Sequence, residues 1–174
     1  SAPGDPGNNG LSSNAPALTV QKVVSDFDIE PGDVVYIDTG LYALSSNLTI
    51  GLPDSGTLAS GYVTFRGNGS NTLFNAGGYG WLLNGAQYVR LQDLRCTGAG
   101  QAMRIENCDH VQVVGCELDH SSLGLVLAGG SAHRVEGCHI HHNQAQGIMG
   151  SGSVAPVITQ NHVHDQLSNN NDND

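Results

Sequence analysis

Three short phrases in the second half of the chain hold most of its reactive side chains. Gly137-Cys138-His139-Ile140-His141-His142 and Asn161-His162-Val163-His164-Asp165 each place two imidazoles two residues apart. Gly115-Cys116-Glu117-Leu118-Asp119-His120 puts carboxylates at the same two places. Alternate residues of an extended strand share a face, so each phrase aims its pair in one direction. His139, His141, His162 and His164, with Glu117 or Asp119, are suitable ligand types for Zn, Cu or Ni. His141 and His164 are also candidate general bases, and Arg95, Arg104, Arg90 and Arg134 are candidate cations for an anionic group. The plainer alternative is that His and Asn occupy these places because they hydrogen-bond along a stack.

The elements that would position these groups follow from a repeat. The Gly-Cys of residues 115–116 recurs 22 residues later at 137–138. Tyr88 to Cys96 is one period earlier, and Pro156 to Asp165 is one period later with a single insertion. A repeat of this length is a unit that buries its apolar face only against its neighbours. Within one copy Val111 and Val113 alternate with Gln112 and Val114, Cys116 and Leu118 with Glu117 and Asp119, and Leu125 and Leu127 flank Val126. Three short strands separated by Gly, Ser and Asn turns therefore make one coil. Like strands of successive coils pair in parallel, roughly 4.8 Å apart.

The expected fold is all-β: a right-handed parallel β-helix with three-strand coils of about 22 residues. Its inward columns are Leu91-Val113-Val135-Ile158, Cys96-Leu118-Ile140-Val163 and Leu83-Ile105-Leu127. One outward column holds Arg95, Glu117, His139 and His162. The next holds Thr97, Asp119, His141 and His164. A corner column holds Gly98, His120, His142 and Asp165. A leucine-rich repeat has a similar period, but its Leu-x-x-Leu-x-Leu frame is missing.

Bulk composition narrows the function classes. Sixteen acidic against 6 basic residues give a net charge of −10, which argues against nucleic acid and anionic membrane surfaces. No apolar run is long enough to span a bilayer. With charged residues at 13% and 24 glycines, the chain suits a ladder-stacked repeat protein at an extracellular or cell-surface location. Cys96, Cys116 and Cys138 fall at inward positions, where thiols act as small hydrophobes. Cys116 and Cys138 are neighbours in one column and are expected to be reduced.

Residues 1–14 read as an irregular lead-in and residues 15–167 as one domain. Asn14 or Ala15 is the expected helix cap, with Pro16 in the first turn. Val20, Val23, Val24 and Phe27 then form the apolar stripe of a helix that covers the first coil. This cap helix, followed by Pro31-Gly32-Asp33-Val34-Val35-Tyr36-Ile37-Asp38-Thr39-Gly40-Leu41-Tyr42, resembles the opening of pectin-lyase-like right-handed β-helix proteins. Asn161-His162-Val163-His164-Asp165 resembles a phrase that recurs in their coils. The resemblance implies an acidic or neutral polysaccharide partner, and polysaccharide lyase or uronan epimerase chemistry as one option. His141 and His164 would then be the bases, with Arg95 and Arg134 as neutralisers. Glu117, Asp119, Tyr79 and Tyr88 are candidate sugar-binding residues. The paired acidic residues that hold calcium in such lyases are not evident, nor is the epimerase phrase Asp-Pro-His-Asp. A structural or glycan-associated module is therefore the leading expectation, and a His-rich metal-binding protein the third. Calcium or a divalent transition metal is the possible cofactor. Residues 168–174 form a polar tail that leaves the last coil open to further coils or end-to-end association.

Overall fold

A computed structural model describes residues 4–5, 7–8, 10–12 and 14–167; the tail at 168–174 lies outside the described residues. The chain starts with helix α1 (Val20–Asp26). It then winds through three strands per coil. The first coil has β1 (Val34–Tyr36), β2 (Gly40–Leu44) and β3 (Leu48–Ile50), and the second has β4 (Val63–Arg66), β5 (Thr72–Ala76) and β6 (Tyr79–Asn84). The third has β7 (Val89–Gln92), β8 (Arg95–Thr97) and β9 (Gln101–Glu106), and the fourth β10 (Gln112–Val114), β11 (Glu117–Asp119) and β12 (Leu123–Ala128). The fifth has β13 (Arg134–Glu136), β14 (His139–His141) and β15 (Gln146–Ser151), followed by β16 (Val157–Thr159) and β17 (His162–His164).

Like strands stack into three parallel sheets. The first sheet runs β1-β4-β7-β10-β13-β16, the second β2-β5-β8-β11-β14-β17 and the third β3-β6-β9-β12-β15. This is the expected solenoid, and the expected registers hold. Leu91, Val113, Val135 and Ile158 pair in line. Cys96, Leu118, Ile140 and Val163 do the same. Leu83, Ile105 and Leu127 make the third inward row. A register slip of one residue would turn each of these rows outward, so the apolar alternation fixes the pairing. Towards the N-terminal end Tyr42, Phe74, Trp81 and Phe65 form a chain of rings with centroids 5.0, 5.1 and 5.5 Å apart. Cys96, Cys108, Cys116 and Cys138 are all buried, with no disulfide between them in this structure.

The helix begins later than its sequence signals suggest. Thr19, not Asn14 or Ala15, is the N-cap, and its hydroxyl accepts from the Lys22 amide at 3.1 Å. The backbone ahead of it is already used: Asp5 N–H donates to Pro16 O, Gly10 N–H donates to Ala15 O, and Asp5 pairs with Ala17. The helix still covers the first coil. Val20 is buried, and Gln21 Oε1 accepts the Thr49 amide at 3.2 Å, occupying a donor on the edge strand β3. At the other end Val157, Ile158, Val163 and Leu167 are exposed.

Polar side chains inside two turns add a second set of bonds along the axis. Asn143 accepts from the Ser121 amide at 3.1 Å and donates to Leu118 O at 3.1 Å. Asn161 accepts from the Cys138 amide at 2.9 Å and donates to Val135 O at 3.0 Å. Gln166 continues the Asn143 row by donating to Ile140 O at 3.0 Å. Each side-chain amide satisfies a backbone donor and an acceptor that the turn leaves out of the sheet. The Asn161 bonds fix the corner where the histidine-bearing strands start, and the Asn143 and Gln166 bonds the corner where they end.

Candidate functional site

The outer face of the second sheet carries the candidate site. Parallel pairing sets Arg95, Glu117, His139 and His162 in one row, and Thr97, Asp119, His141 and His164 in the next. The bend that follows uses left-handed backbone at Gly98 (φ 69°), His120 (φ 48°), His142 (φ 53°) and Asp165 (φ 50°). His and Asp tolerate this region better than most side chains, which lets functional groups replace glycine at the corner.

Four imidazoles form a two-by-two array on β14 and β17. His139 stacks on His162 with centroids 5.2 Å apart, and His141 stacks on His164 at 5.4 Å. Along each strand His139 and His141 lie 4.2 Å apart, as do His162 and His164. Across the diagonal, His139 Nε2 and His164 Nε2 approach to 2.7 Å. Asp165 Oδ2 lies 2.8 Å from His164 Nδ1, and Glu117 Oε1 lies 3.4 Å from His141 Nε2. His142 Nδ1 faces His141 Nδ1 at 2.8 Å. Burial, with repulsion from His141 and His164, lowers the His139 pKa below its ordinary value. The Asp165 carboxyl is lowered by its hydrogen bond to His164. Among the described residues, two groups of at least three candidate ligands converge: His139-His162-His164 and Glu117-His139-His141, each with ligand atoms within 4.8 Å of one another.

The N-terminal half of this face is an ion-pair cluster. Arg95 Nε and Nη2 donate to Asp119 Oδ1 and Oδ2 at 3.0 and 2.8 Å, a two-point clamp. Arg95 Nε is also 3.5 Å from Glu117 Oε1, and His120 Nδ1 is 2.6 Å from Asp119 Oδ2. Asp119 points outward from its strand, yet its side chain is fully covered. Burial opposes its ionisation, but hydrogen bonds from Arg95 and His120 outweigh that penalty and hold the carboxyl below its ordinary value.

The remaining candidates are elsewhere. Arg134 lies on β13 in the first sheet and pairs with Glu136 at 2.8 Å, so it is not part of the imidazole face. Arg104 sits on the third sheet and pairs with Glu106 at 3.1 Å. Tyr79 starts β6 on the third sheet and is half-buried. Tyr88 occupies the corner before β7 and stacks on His110 with centroids 4.5 Å apart. Sequence reasoning overlooked Tyr62, which meets Tyr88 edge-on at 5.6 Å and lies under the Arg90 guanidinium at 5.0 Å. Tyr62 precedes Tyr88 by 26 residues, outside the regular period, so the row was hidden in the sequence.

Residues 59–169 match the family described as right handed beta helix region. No curated protein matches the sequence. The fold is similar to that of pectate lyase Pel9A, with a TM-score of 0.70 and 19% identity, covering 91% of this chain and 45% of the lyase. It is also similar to an alginate lyase from Paenibacillus sp. str. FPU-7, with a TM-score of 0.59 and 19% identity, covering 75% of this chain and 59% of that one. The chain thus spans about half the length of these two enzymes. With the match extending over well more than half its residues, the chain belongs to the right-handed β-helix family.

Proposed function

We propose that this chain is a glycan-associated β-helix module, extracellular or on the cell surface, that holds a polysaccharide without cleaving it. The observation that carries this reading is the state of the arginines. A lyase needs a cation to neutralise a uronate carboxylate. Arg95 is engaged by Asp119 and Glu117, Arg104 by Glu106 and Arg134 by Glu136. Among the described residues, the imidazoles of His141 and His164 therefore have no unclaimed guanidinium beside them on their own face. The location rests on the fold shared with polysaccharide lyases, whose polymers lie outside cells. No helix among the described residues is long and apolar enough to cross a membrane.

The face we assign to the polymer is the row Tyr62, Tyr88 and His110 beside Arg90 and Gln112. These two side chains are joined by a 2.9 Å hydrogen bond. A line of ring edges and hydroxyls along the solenoid axis, beside amide and guanidinium donors, suits the hydroxyls of an extended sugar chain. The paired carboxylates of the second sheet and the net charge of −10 favour a neutral polymer over a polyuronate.

Retardation in gels cast with neutral and acidic polysaccharides tests this reading. Mobility is expected to fall in a neutral polymer, and Tyr62→Ala with Tyr88→Ala should weaken that binding at least tenfold. Incubation with pectate, alginate and chondroitin in the presence of calcium should produce no unsaturated ends. Rising ultraviolet absorbance with any of the three would replace the module by the lyase reading. No retardation in any polymer would remove the glycan role.

A further inference from the structure

We propose that His139, His162 and His164 form a binding site for one borderline divalent transition-metal ion, of which zinc is the reference. The site goes beyond the glycan reading and does not depend on it. Three observations support it. The three imidazoles come from adjacent strands of one rigid sheet, and their candidate ligand atoms lie within 4.8 Å of one another. Tetrahedral zinc holds imidazole nitrogens at about 2.0–2.1 Å, which sets them somewhat over 3 Å apart. The 2.7 Å approach of His139 Nε2 to His164 Nε2 is near that separation, and a small opening of two surface rings suffices to admit the ion.

The second observation is the partner behind His164. Asp165 Oδ2 accepts from Nδ1–H at 2.8 Å, which leaves the His164 Nε2 lone pair directed towards His139. A carboxylate behind a ligating histidine fixes its tautomer and orientation, as in established zinc sites. The third is the chemistry of the set. Three imidazoles favour Zn, Cu or Ni over calcium, which takes oxygen ligands. The alternative group, Glu117-His139-His141, shares His139, but its Glu117 carboxylate is already paired with Arg95 at 3.5 Å. Three protein ligands leave the fourth tetrahedral position to water or to a donor atom of a bound molecule.

The test is calorimetric titration of the full chain with zinc alone, in parallel with cobalt titrated under visible spectroscopy. One ion per chain is expected, with cobalt showing the bands of a tetrahedral nitrogen site. His162→Ala and His164→Ala should each weaken zinc binding by at least tenfold. Asp165→Asn, which keeps every ligand and suits the left-handed backbone, should weaken it by roughly 10- to 100-fold. His120→Ala lies outside the ligand set and should leave it unchanged. Circular dichroism identifies any variant that has lost its fold. Absence of heat beyond buffer, octahedral cobalt spectra, or equal affinity in wild type and His162→Ala would each overturn the site.

Discussion

Trp81→Ala is expected to lower the unfolding free energy by about 3–5 kcal/mol, measured by urea denaturation. Trp81 is fully buried and meets both Phe65 and Phe74 edge-on, so its removal opens a cavity between two inward columns. The neighbours are strands of three different sheets, tied by parallel ladders, and cannot close in on the gap. Trp81→Phe should cost much less. The Trp81 indole N–H is buried without a hydrogen-bond partner, so phenylalanine discards an unsatisfied donor while keeping most of the ring. Equal losses for the two variants would mean that the indole donor is satisfied or that the site is not a packed core.

Asp119→Ala should cost about 1–3 kcal/mol. Removing one partner of a fully buried pair costs more, but the Arg95 side chain keeps 29% of its exposure and recovers part of its hydration. The same variant should change the acid limb of stability. Asp119 has a folded-state pKa below its unfolded value, so its contribution is complete above about pH 4, the ordinary carboxylate range. It is lost as pH falls through the lower folded value. Urea midpoints of wild type and Asp119→Ala should therefore differ by a constant amount near neutrality and converge only in strong acid. A gap that closes instead as pH rises above about 6.5, the ordinary imidazole value, would assign the interaction to a protonated histidine. Arg95→Ala, which strands a covered carboxylate, should cost most near neutrality, and the loss should shrink as acid protonates Asp119.

Much of this arrangement was legible because the spacing of Gly115-Cys116 and Gly137-Cys138 sets the register. From that spacing the alternation places Leu118 inside and Glu117 and Asp119 outside, and the paired histidines follow. The sequence could not show how strand neighbours would engage one another. Asp119 was expected on an open face, yet Arg95, one coil away, reaches over and covers it. Arg134 looked available until Glu136, two residues along the same strand, was seen to hold it. The helix start was misplaced because Pro16 fits a first helical turn equally well as it fits the extended pairing it makes with Asp5. Tyr62 stayed hidden because extra residues in the turn between β4 and β5 break the period: Phe65 aligns with Leu91, whereas Phe74 already aligns with Cys96 at the regular spacing. The isolated β-bridge between Asn68 and Ser70 shows where that extra chain goes.

The most direct measurement of the central claim is a nuclear Overhauser spectrum of the methyl and imidazole protons. The account predicts contacts between the methyls of Leu118, Ile140 and Val163, residues one coil apart, together with ring contacts between His139 and His162 and between His141 and His164. Contacts from the His139 or His141 rings to the methyls of Leu118 or Val163 through the interior, with no ring contacts between coils, would contradict it, because they would put the imidazoles inside the solenoid and dissolve the outward face.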